Sequence, residues 1–173
     1  MRKLLVVVDM QNDFIDGALG TKEAEAIVEA AKEKIRSYPV RDVFATLDTH
    51  GEDYMNTQEG RFLPVPHCIK GSEGWRLRPD IEELLSDARR YEKPTFASTR
   101  LAEDIREISK LEDIEIELIG LCTDICVVSN ALMLKAYMPE VPVSVDSSCC
   151  AGVTPEKHAA ALETMRSCQI VVK

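Results

Sequence analysis

Cys126 is the residue whose position best suits nucleophilic chemistry. It lies in the run Gly120-Leu121-Cys122-Thr123-Asp124-Ile125-Cys126-Val127, where a predicted strand gives way to a predicted helix. The positive end of the helix dipole favours a thiolate there, so we expect a lowered thiol pKa. Backbone N–H groups in a first helical turn lack helical partners and can hold an oxyanion. An arbitrary cysteine is more often a core thiol, but this position favours attack on a carbonyl carbon.

Two charged residues are candidate helpers of this thiol. Asp9 follows the apolar run at residues 4–8. Its carboxylate could simply cap the loop, or it could accept the thiol proton and deliver it to a leaving amine. Lys93 precedes Pro94, which favours an extended backbone. A lone lysine is usually a solvated surface group, but beside Cys126 it would hold the thiolate and Asp9 charged.

A second group of polar residues could bind a metal ion. Asp48 and His50 are two positions apart at a strand end, so their side chains point the same way from an extended backbone. Glu59 and His67 follow in the next segment, which holds two of the chain's three histidines. Each alone is typical of a hydrogen-bonded surface group. Together, two imidazoles and one or two carboxylates suit zinc, iron or manganese better than calcium or magnesium.

The elements that must position these residues alternate between strands and helices. Apolar β-branched runs predict strands at residues 4–8, 43–47, 114–119, 141–145 and 170–172, with an extended segment at 91–96. Helices are predicted at residues 21–37, 79–88, 102–109, 123–138 and 155–167, and a structureless loop at 51–75. This alternation predicts a single α/β domain over residues 1–173. Its architecture is a three-layer doubly wound sheet, mostly parallel, with helices on both faces.

In such sheets, ligands bind beyond the carboxyl ends of the strands. Asp9 follows the first strand, Asp48 and His50 follow the second, and Cys126 follows the strand that ends near Gly120. We therefore expect the reactive side chains to meet at one edge of the sheet.

Composition restricts the partners. The net charge of −9 argues against nucleic acid, because phosphate binding requires a basic patch. No apolar run approaches the roughly 18 residues of a membrane span, and the N-terminal run is too short for a signal peptide. We therefore expect no membrane partner and a cytoplasmic location. The six cysteines form no CxxC pair, so most are expected to be buried free thiols.

Three segments together resemble the isochorismatase-like cysteine hydrolases. They are Asp9-Met10-Gln11-Asn12-Asp13-Phe14, the segment around Lys93, and Thr123-Asp124-Ile125-Cys126-Val127. The resemblance covers essentially the whole chain and is greatest to the nicotinamidase branch. It implies a catalytic triad of Asp9, Lys93 and Cys126. It also implies a cis Leu121–Cys122 peptide bond and an oxyanion hole formed by the backbone N–H groups of Cys122 and Cys126.

The resemblance also extends to the metal-binding segment of nicotinamidases. It implies that Asp48, His50 and His67 bind one divalent transition metal, with zinc first and iron or manganese as alternatives. This metal would hold the pyridine nitrogen of the substrate. Glu59 matches the fourth ligand of one subgroup, and Phe14 is the candidate ring contact. Some nicotinamidases carry a tryptophan shortly before the metal histidine, where this sequence has Leu63-Pro64-Val65.

These features predict hydrolysis of nicotinamide, or a close heteroaromatic amide, to the acid and ammonia through a Cys126 thioester. By analogy alone we expect a homo-oligomer. The alternatives are a related cysteine hydrolase acting on another small amide, ureide or enol ether, and a catalytically silent metal- or ligand-binding homologue. A redox protein using Cys149 with Cys150, or Cys122 with Cys126, is a weaker alternative because adjacent cysteines rarely form a strain-free disulfide.

Overall fold

Six strands form one sheet in the computed structural model, which describes residues Met1–Lys173. The strands are β1 (Arg2–Val8), β2 (Val43–Asp48), β3 (Arg89–Lys93), β4 (Ile114–Leu121), β5 (Val143–Ala151) and β6 (Val171–Val172). Their order across the sheet is β3-β2-β1-β4-β5-β6, and every neighbouring pair is parallel. The predicted doubly wound α/β fold is confirmed, and the sheet is parallel throughout.

Eight helices cover the two faces of this sheet. They are α1 (Asn12–Ile15), α2 (Lys22–Ala26), α3 (Val28–Arg36), α4 (Gln58–Phe62), α5 (Pro79–Leu84), α6 (Thr99–Ser109), α7 (Val128–Tyr137) and α8 (Pro155–Ser167). Apolar residues of α6, α7 and α8 pack on one face, and those of α1, α2, α3 and α5 pack on the other. None of the helices has the length and apolarity needed to cross a membrane.

The central strand β1 contributes to both cores. Val6 and Val8 face the core beneath α6, α7 and α8, whereas Leu5 and Val7 face the opposite core. This two-sided burial explains why β1 has a continuous apolar run instead of alternating apolar and polar residues. In β4, Gly120 lies in register with Val8. Its φ is +116°, and an added Cβ would lie 2.1 Å from the Val8 carbonyl oxygen, so only glycine fits.

Several predicted element boundaries differ from the structure. The single helix predicted at 21–37 is wrong, because the chain turns at Ile27 between α2 and α3. There the Ile27 N–H bonds to the Glu25 carbonyl, which interrupts the regular ladder. The helix predicted from residue 123 begins instead with a π-helical turn, Thr123–Val127, followed by α7. The extended segment predicted at 91–96 corresponds to β3, which ends at Lys93 because Pro94 has no N–H to donate.

The predicted structureless loop at 51–75 contains two short helical segments. One is a 3₁₀ turn, Tyr54–Asn56, and the other is α4. The side chain of Thr57 caps α4 by accepting a hydrogen bond from the Gly60 N–H at 3.0 Å. A segment of five residues or fewer is too short to show helical periodicity, which explains why the sequence pattern did not predict it.

Candidate active site

Polar side chains converge where four neighbouring strands end. Asp9 directly follows β1, Asp48 closes β2, and Lys93 closes β3. Cys126 lies in the π-helical turn that follows β4. Strands β1 and β4 are neighbours. From β1 the following strands β2 and β3 lie on one side, and from β4 the following strands β5 and β6 lie on the other. Such a topological switch point leaves a crevice beyond the strand ends. The expected meeting of these residues at one sheet edge is confirmed.

Lys93 links the two other members of the predicted triad. Its Nζ lies 2.7 Å from Asp9 Oδ2 and 3.5 Å from Cys126 Sγ. It also lies 3.3 Å from Asp48 Oδ1 and 3.1 Å from the Thr95 carbonyl oxygen, to which it donates. The Lys93 side chain is 1% exposed and that of Asp9 is 0% exposed. The ammonium is therefore held entirely by protein oxygens and the thiol sulfur.

Asp9 presents one occupied and one available carboxylate oxygen. The Thr46 hydroxyl donates a 2.6 Å hydrogen bond to Oδ1. Oδ2 is buried and has no aligned hydrogen-bond donor, although the Lys93 ammonium lies beside it. The backbone of Asp9 is left-handed, with φ of +48°, a conformation uncommon outside glycine but tolerated best by Asp and Asn. This conformation lies where the chain leaves β1.

Burial dominates the proton affinities of the triad. Burial raises the pKa of the Cys126 thiol well above its ordinary value, Asp9 adds to this effect, and Lys93 opposes it. The lowered thiol pKa expected from the helix dipole is therefore wrong, because it neglected the loss of solvent around the sulfur. Burial also raises the pKa of Asp9, against the opposing charge of Lys93. Burial alone would lower the pKa of Lys93, but its negative partners, led by Asp9, raise it overall.

The turn that carries Cys126 is fixed by a buried amide. Asn130 Nδ2 donates to the Cys126 carbonyl oxygen at 2.8 Å and to the Phe96 carbonyl oxygen at 3.2 Å. Its Oδ1 accepts from the Ser98 N–H at 3.0 Å. Asn130 thus ties the nucleophile turn to the segment after Lys93. No sequence prediction included Asn130; an asparagine in the otherwise largely apolar α7 marks a buried polar residue but does not identify its partners.

The peptide bond entering this turn has the expected geometry. Leu121–Cys122 is cis, as the family resemblance implied. Cys122 then precedes the π-helical turn, and single π turns are frequent at functional sites. The cavity beyond the turn has a volume of about 400 Å³, and its lining includes Phe14, Cys122, Ile125 and Cys126. Apolar side chains predominate in this lining, which suits an aromatic ligand.

Four predicted metal ligands cluster beside the cavity. One donor atom from each of Asp48, His50, Glu59 and His67 lies within 4.8 Å of the others. Asp48 Oδ2 is 2.9 Å from His50 Nε2 and 3.4 Å from His67 Nε2. Glu59 Oε1 is 3.7 Å from both Nε2 atoms. Two imidazoles and two carboxylates at this spacing fit a divalent transition metal.

The orientation of the cluster is set by backbone groups. His67 Nδ1 lies 2.9 Å from the Val65 carbonyl oxygen. Because a carbonyl can only accept, Nδ1 carries a hydrogen and donates it, and Nε2 faces the cluster. Gln11 fixes the backbone of Asp48, accepting from its N–H at 2.7 Å and donating to its carbonyl at 2.8 Å. Gln11 lies in the segment that resembles the cysteine hydrolases, but its position in the sequence indicates no role for it.

The family assignment follows from sequence comparison. The isochorismatase domain model matches residues 3–173. This chain belongs to the isochorismatase family. An uncharacterized isochorismatase family protein of Bacillus subtilis (strain 168) is 34% identical over 180 residues, covering 94% of this chain and 93% of the relative. A nicotinamidase/pyrazinamidase of Mycobacterium tuberculosis is 26% identical over 181 residues, covering 97% of this chain and 96% of the relative.

Solved structures agree with the isochorismatase fold. The pyrazinamidase of Pyrococcus horikoshii, crystallised in complex with zinc, superposes with a TM-score of 0.80 at 26% identity, covering 100% of this chain and 99% of that one. The pyrazinamidase/nicotinamidase of Streptococcus mutans UA159 gives 0.81 at 27% identity, with 99% of each chain covered. The fold is thus shared along the full length of these relatives.

The structure brings together the side chains that the isochorismatase resemblance implied. The candidate triad shares the strand-end crevice, and the candidate metal ligands lie directly beside it. Phe14, the candidate ring contact, lines the same cavity, with its ring centroid 5.6 Å from that of His67. Glu59, which sequence supported least among the metal ligands, lies with the other three.

Proposed function

We propose that this isochorismatase-family chain hydrolyses nicotinamide, or a close heteroaromatic carboxamide, to the acid and ammonia. The observation that carries the proposal is the position of Lys93 Nζ between Asp9 Oδ2 and Cys126 Sγ, at an apolar cavity bordered by a candidate metal cluster. The relatives named nicotinamidase or pyrazinamidase support the same reaction class.

Acylation begins with proton transfer from the Cys126 thiol to the Asp9 carboxylate, which lies beside it at the Lys93 ammonium. The thiolate attacks the amide carbonyl carbon and forms a C–S bond, while Lys93 stabilises the charges on sulfur and carboxylate. Backbone N–H groups of Cys122 and Cys126 hold the oxyanion, each contributing about 2.7–4 kcal/mol of transition-state stabilisation. Asp9 then protonates the amide nitrogen, the C–N bond breaks, and ammonia departs from the thioester.

Deacylation reuses the same residues. Asp9 accepts a proton from a water molecule as that water attacks the thioester carbonyl carbon. The C–S bond breaks, the acid is released, and Asp9 returns the proton to the Cys126 sulfur. Burial raises the pKa of both Asp9 and Cys126, so the proton can move between them. Lys93 stabilises whichever of the two groups is charged.

We assign Asp48, His50, His67 and Glu59 as the ligands of one divalent transition metal, with zinc first and iron or manganese as alternatives. When bound, such an ion supplies a Lewis acid that can hold a ring nitrogen of the substrate at the cavity wall. Phe14 and Ile125 supply apolar surface for the ring. The zinc complex of the Pyrococcus horikoshii pyrazinamidase supports this choice.

We further propose a cytoplasmic location and a homo-oligomeric state. All six cysteines are free thiols, which suits a reducing compartment. The absence of a disulfide between Cys149 and Cys150, or between Cys122 and Cys126, gives the redox alternative no support.

Ammonia release from nicotinamide tests the proposed function directly. Wild-type protein should release ammonia, and Cys126→Ala should lower the rate by at least about 10³-fold, because the nucleophile is lost. Cys149→Ala is the matched control, since this buried thiol lies outside the cavity and should retain activity. Equal rates for wild type and Cys126→Ala would end the proposal. Turnover of a carbamoyl compound without turnover of nicotinamide would favour the related-hydrolase alternative.

A further inference from the structure

The substrate cavity beside Cys126 has a neighbour. A second cavity of about 660 Å³ lies on the other side of a wall formed by Glu59, Phe62 and Phe96, which line both spaces. His50 faces the second cavity, whereas Asp48 and His67 face the first. The metal cluster therefore lies between two cavities, and neither the proposed triad nor the proposed ring contact uses the second one.

Two weakly packed rings make up the apolar part of this wall. Phe62, the last residue of α4, is 84% exposed, and Phe96, in the segment after β3, is 44% exposed. Large aromatic side chains usually bury most of their surface, so these rings have little packing to hold them in place. A ligand that passes between them would bury both rings, which is favourable because apolar surface leaves water. The wall can thus act as a gate between the cavities.

The lining of the second cavity indicates the chemistry it would accept. Apart from Phe62 and Phe96, it is lined largely by polar groups and contains no lysine or arginine. The Thr57 hydroxyl is already engaged, because it donates to the Tyr54 carbonyl and accepts from a backbone N–H. Gln58 and Thr95 supply the remaining neutral hydrogen-bonding side chains. Such a surface suits a neutral, hydrogen-bonding group, which Gln58 and Thr95 can bind.

We propose that Phe62 and Phe96 are specificity-determining residues that admit a substituent of the substrate into the second cavity. The substrate class is then heteroaromatic carboxamides whose ring carries a neutral, hydrogen-bonding substituent, bound by Gln58 and Thr95. The carboxamide itself remains at Cys126, so the bonds formed and broken are those of the hydrolysis above. This inference rests on the proposed function for its reaction, but the cavity it assigns can be tested by binding alone.

The test compares nicotinamide with two derivatives that carry, para to the carboxamide, either a hydroxyethyl group or a propyl group of similar size. For wild type we expect kcat/KM for the hydroxyethyl amide to lie within about tenfold of nicotinamide. We expect the propyl amide to be at least about fivefold poorer than the hydroxyethyl amide, because it cannot form hydrogen bonds with Gln58 and Thr95. A hydroxyethyl amide poorer than nicotinamide by about 100-fold or more would overturn the proposal.

Variants identify the gate. The quantity compared is kcat/KM for the hydroxyethyl amide divided by kcat/KM for nicotinamide. Phe62→Trp should lower this ratio by about tenfold, because a larger ring fills the passage. Gln58→Ala should lower it by about fivefold, because a hydrogen bond is lost. Met55→Ala is the control, since Met55 is 47% exposed but lines neither cavity. An unchanged ratio in both Phe62→Trp and Gln58→Ala would overturn the gate. Because Phe62 is 84% exposed, we expect Phe62→Trp to fold as wild type does, and circular dichroism verifies this.

Calorimetric binding separates this inference from the proposed function. In the Cys126→Ala background, the hydroxyethyl amide should bind with an affinity that Phe62→Trp lowers by about tenfold, while Met55→Ala leaves it unchanged. If no amide is hydrolysed but this pattern of binding holds, the proposed reaction is wrong and the assignment of the second cavity is supported. If nicotinamide is hydrolysed but binding of the hydroxyethyl amide is insensitive to Phe62→Trp, the assignment of the second cavity is wrong and the proposed reaction is supported.

Discussion

Lys93 Nζ lies 2.7 Å from Asp9 Oδ2 in a space from which solvent is excluded. Two opposite charges in such a place compensate each other's loss of hydration, and neither could remain charged there alone. The pair also joins two strands that are not neighbours. Asp9 follows the central strand β1, and Lys93 ends the edge strand β3, which lies on the far side of β2. One contact therefore serves both the stability of the strand ends and the proposed chemistry of Cys126.

Lys93→Met should destabilise the protein by about 3–5 kcal/mol, because it leaves Asp9 buried without its cation. Amide hydrolysis should fall by about 10³–10⁴-fold, the scale seen when one member of a catalytic triad is lost. Urea unfolding measures the first effect and ammonia release the second. The double variant Asp9→Asn/Lys93→Met should regain part of the stability and none of the activity. Full activity in Lys93→Met would exclude Lys93 from the chemistry.

Metal binding should depend on each ligand of the cluster. Dialysis against a chelator should abolish activity, and zinc should restore it. His50→Ala and Glu59→Ala should each weaken metal binding by at least about tenfold, measured as metal retained per protein by atomic absorption. Glu52→Ala is the control, because this exposed carboxylate lies outside the cluster. Retention by Glu59→Ala equal to that of wild type would remove Glu59 from the ligand set.

The strand-end rule explains how much of the site could be predicted from sequence. Continuous apolar runs identify β1 and β2, and parallel pairing places the residues that follow them at one edge, so Asp9 and Asp48 could be located. The edge strand β3, with the sequence RRYEK, carries no such run. Lys93 was therefore identified through its segment's resemblance to a family, and only part of its strand was predicted.

The supporting hydrogen bonds could not be predicted in the same way. Thr46 contacts Asp9 across 37 positions, and Asn130 ties the nearby Cys126 to Ser98 across 32 positions, so no spacing pattern indicates these long-range contacts. The direction of the Cys126 pKa shift also depends on burial, which local sequence does not fix. Periodicity locates elements, whereas these contacts depend on how the elements pack.

Thr123 and His158 form a contact that should position the nucleophile turn. The Thr123 hydroxyl lies 2.8 Å from His158 Nδ1, linking the turn before Cys126 to α8. Burial lowers the pKa of His158, with Asp124 opposing, so the ring is neutral near pH 7 and its Nδ1 can accept the Thr123 hydrogen. A lowered folded-state pKa contributes stability above the unfolded pKa of about 6.5, and this stability is lost as pH falls below it.

His158→Phe should therefore cost about 1 kcal/mol near pH 8 through the lost hydrogen bond. The difference from wild type should shrink as the pH falls to about 5, where protonated His158 can no longer accept. Urea unfolding across this range measures the change, and the alkylation rate of Cys126 reports the position of the turn. The glutamine of His158→Gln can still accept a hydrogen bond from Thr123. It should therefore preserve the stability and the Cys126 alkylation rate better than His158→Phe does. A pH-independent difference would show that the ring acts only by packing.

Glu117 should give the protein a stability that acid removes. Burial raises the pKa of this carboxyl, but hydrogen bonds from Lys173, Tyr38 and Lys34, in that order, lower it overall. Lys173 Nζ donates to Oε1 at 2.7 Å, while the Tyr38 hydroxyl and Lys34 Nζ donate to Oε2 at 2.9 and 3.2 Å. A lowered folded-state pKa contributes stability above the unfolded value of about 4.3, and that stability is lost as pH falls through the folded pKa.

Glu117→Gln should thus destabilise the protein by about 1–3 kcal/mol at pH 7, because Lys173 and Lys34 lose a partner that is 6% exposed. The difference from wild type should narrow as the pH falls from 7 toward 3 and protonation removes the charge of the wild-type carboxylate. Urea unfolding at both pH values provides the measurement. Glu115→Gln is the control, since its pair with the 70% exposed Lys3 is a surface contact worth at most about 1 kcal/mol. If Glu117→Gln destabilises the protein equally at both pH values, the contribution of Glu117 to stability does not depend on the charge of its carboxylate.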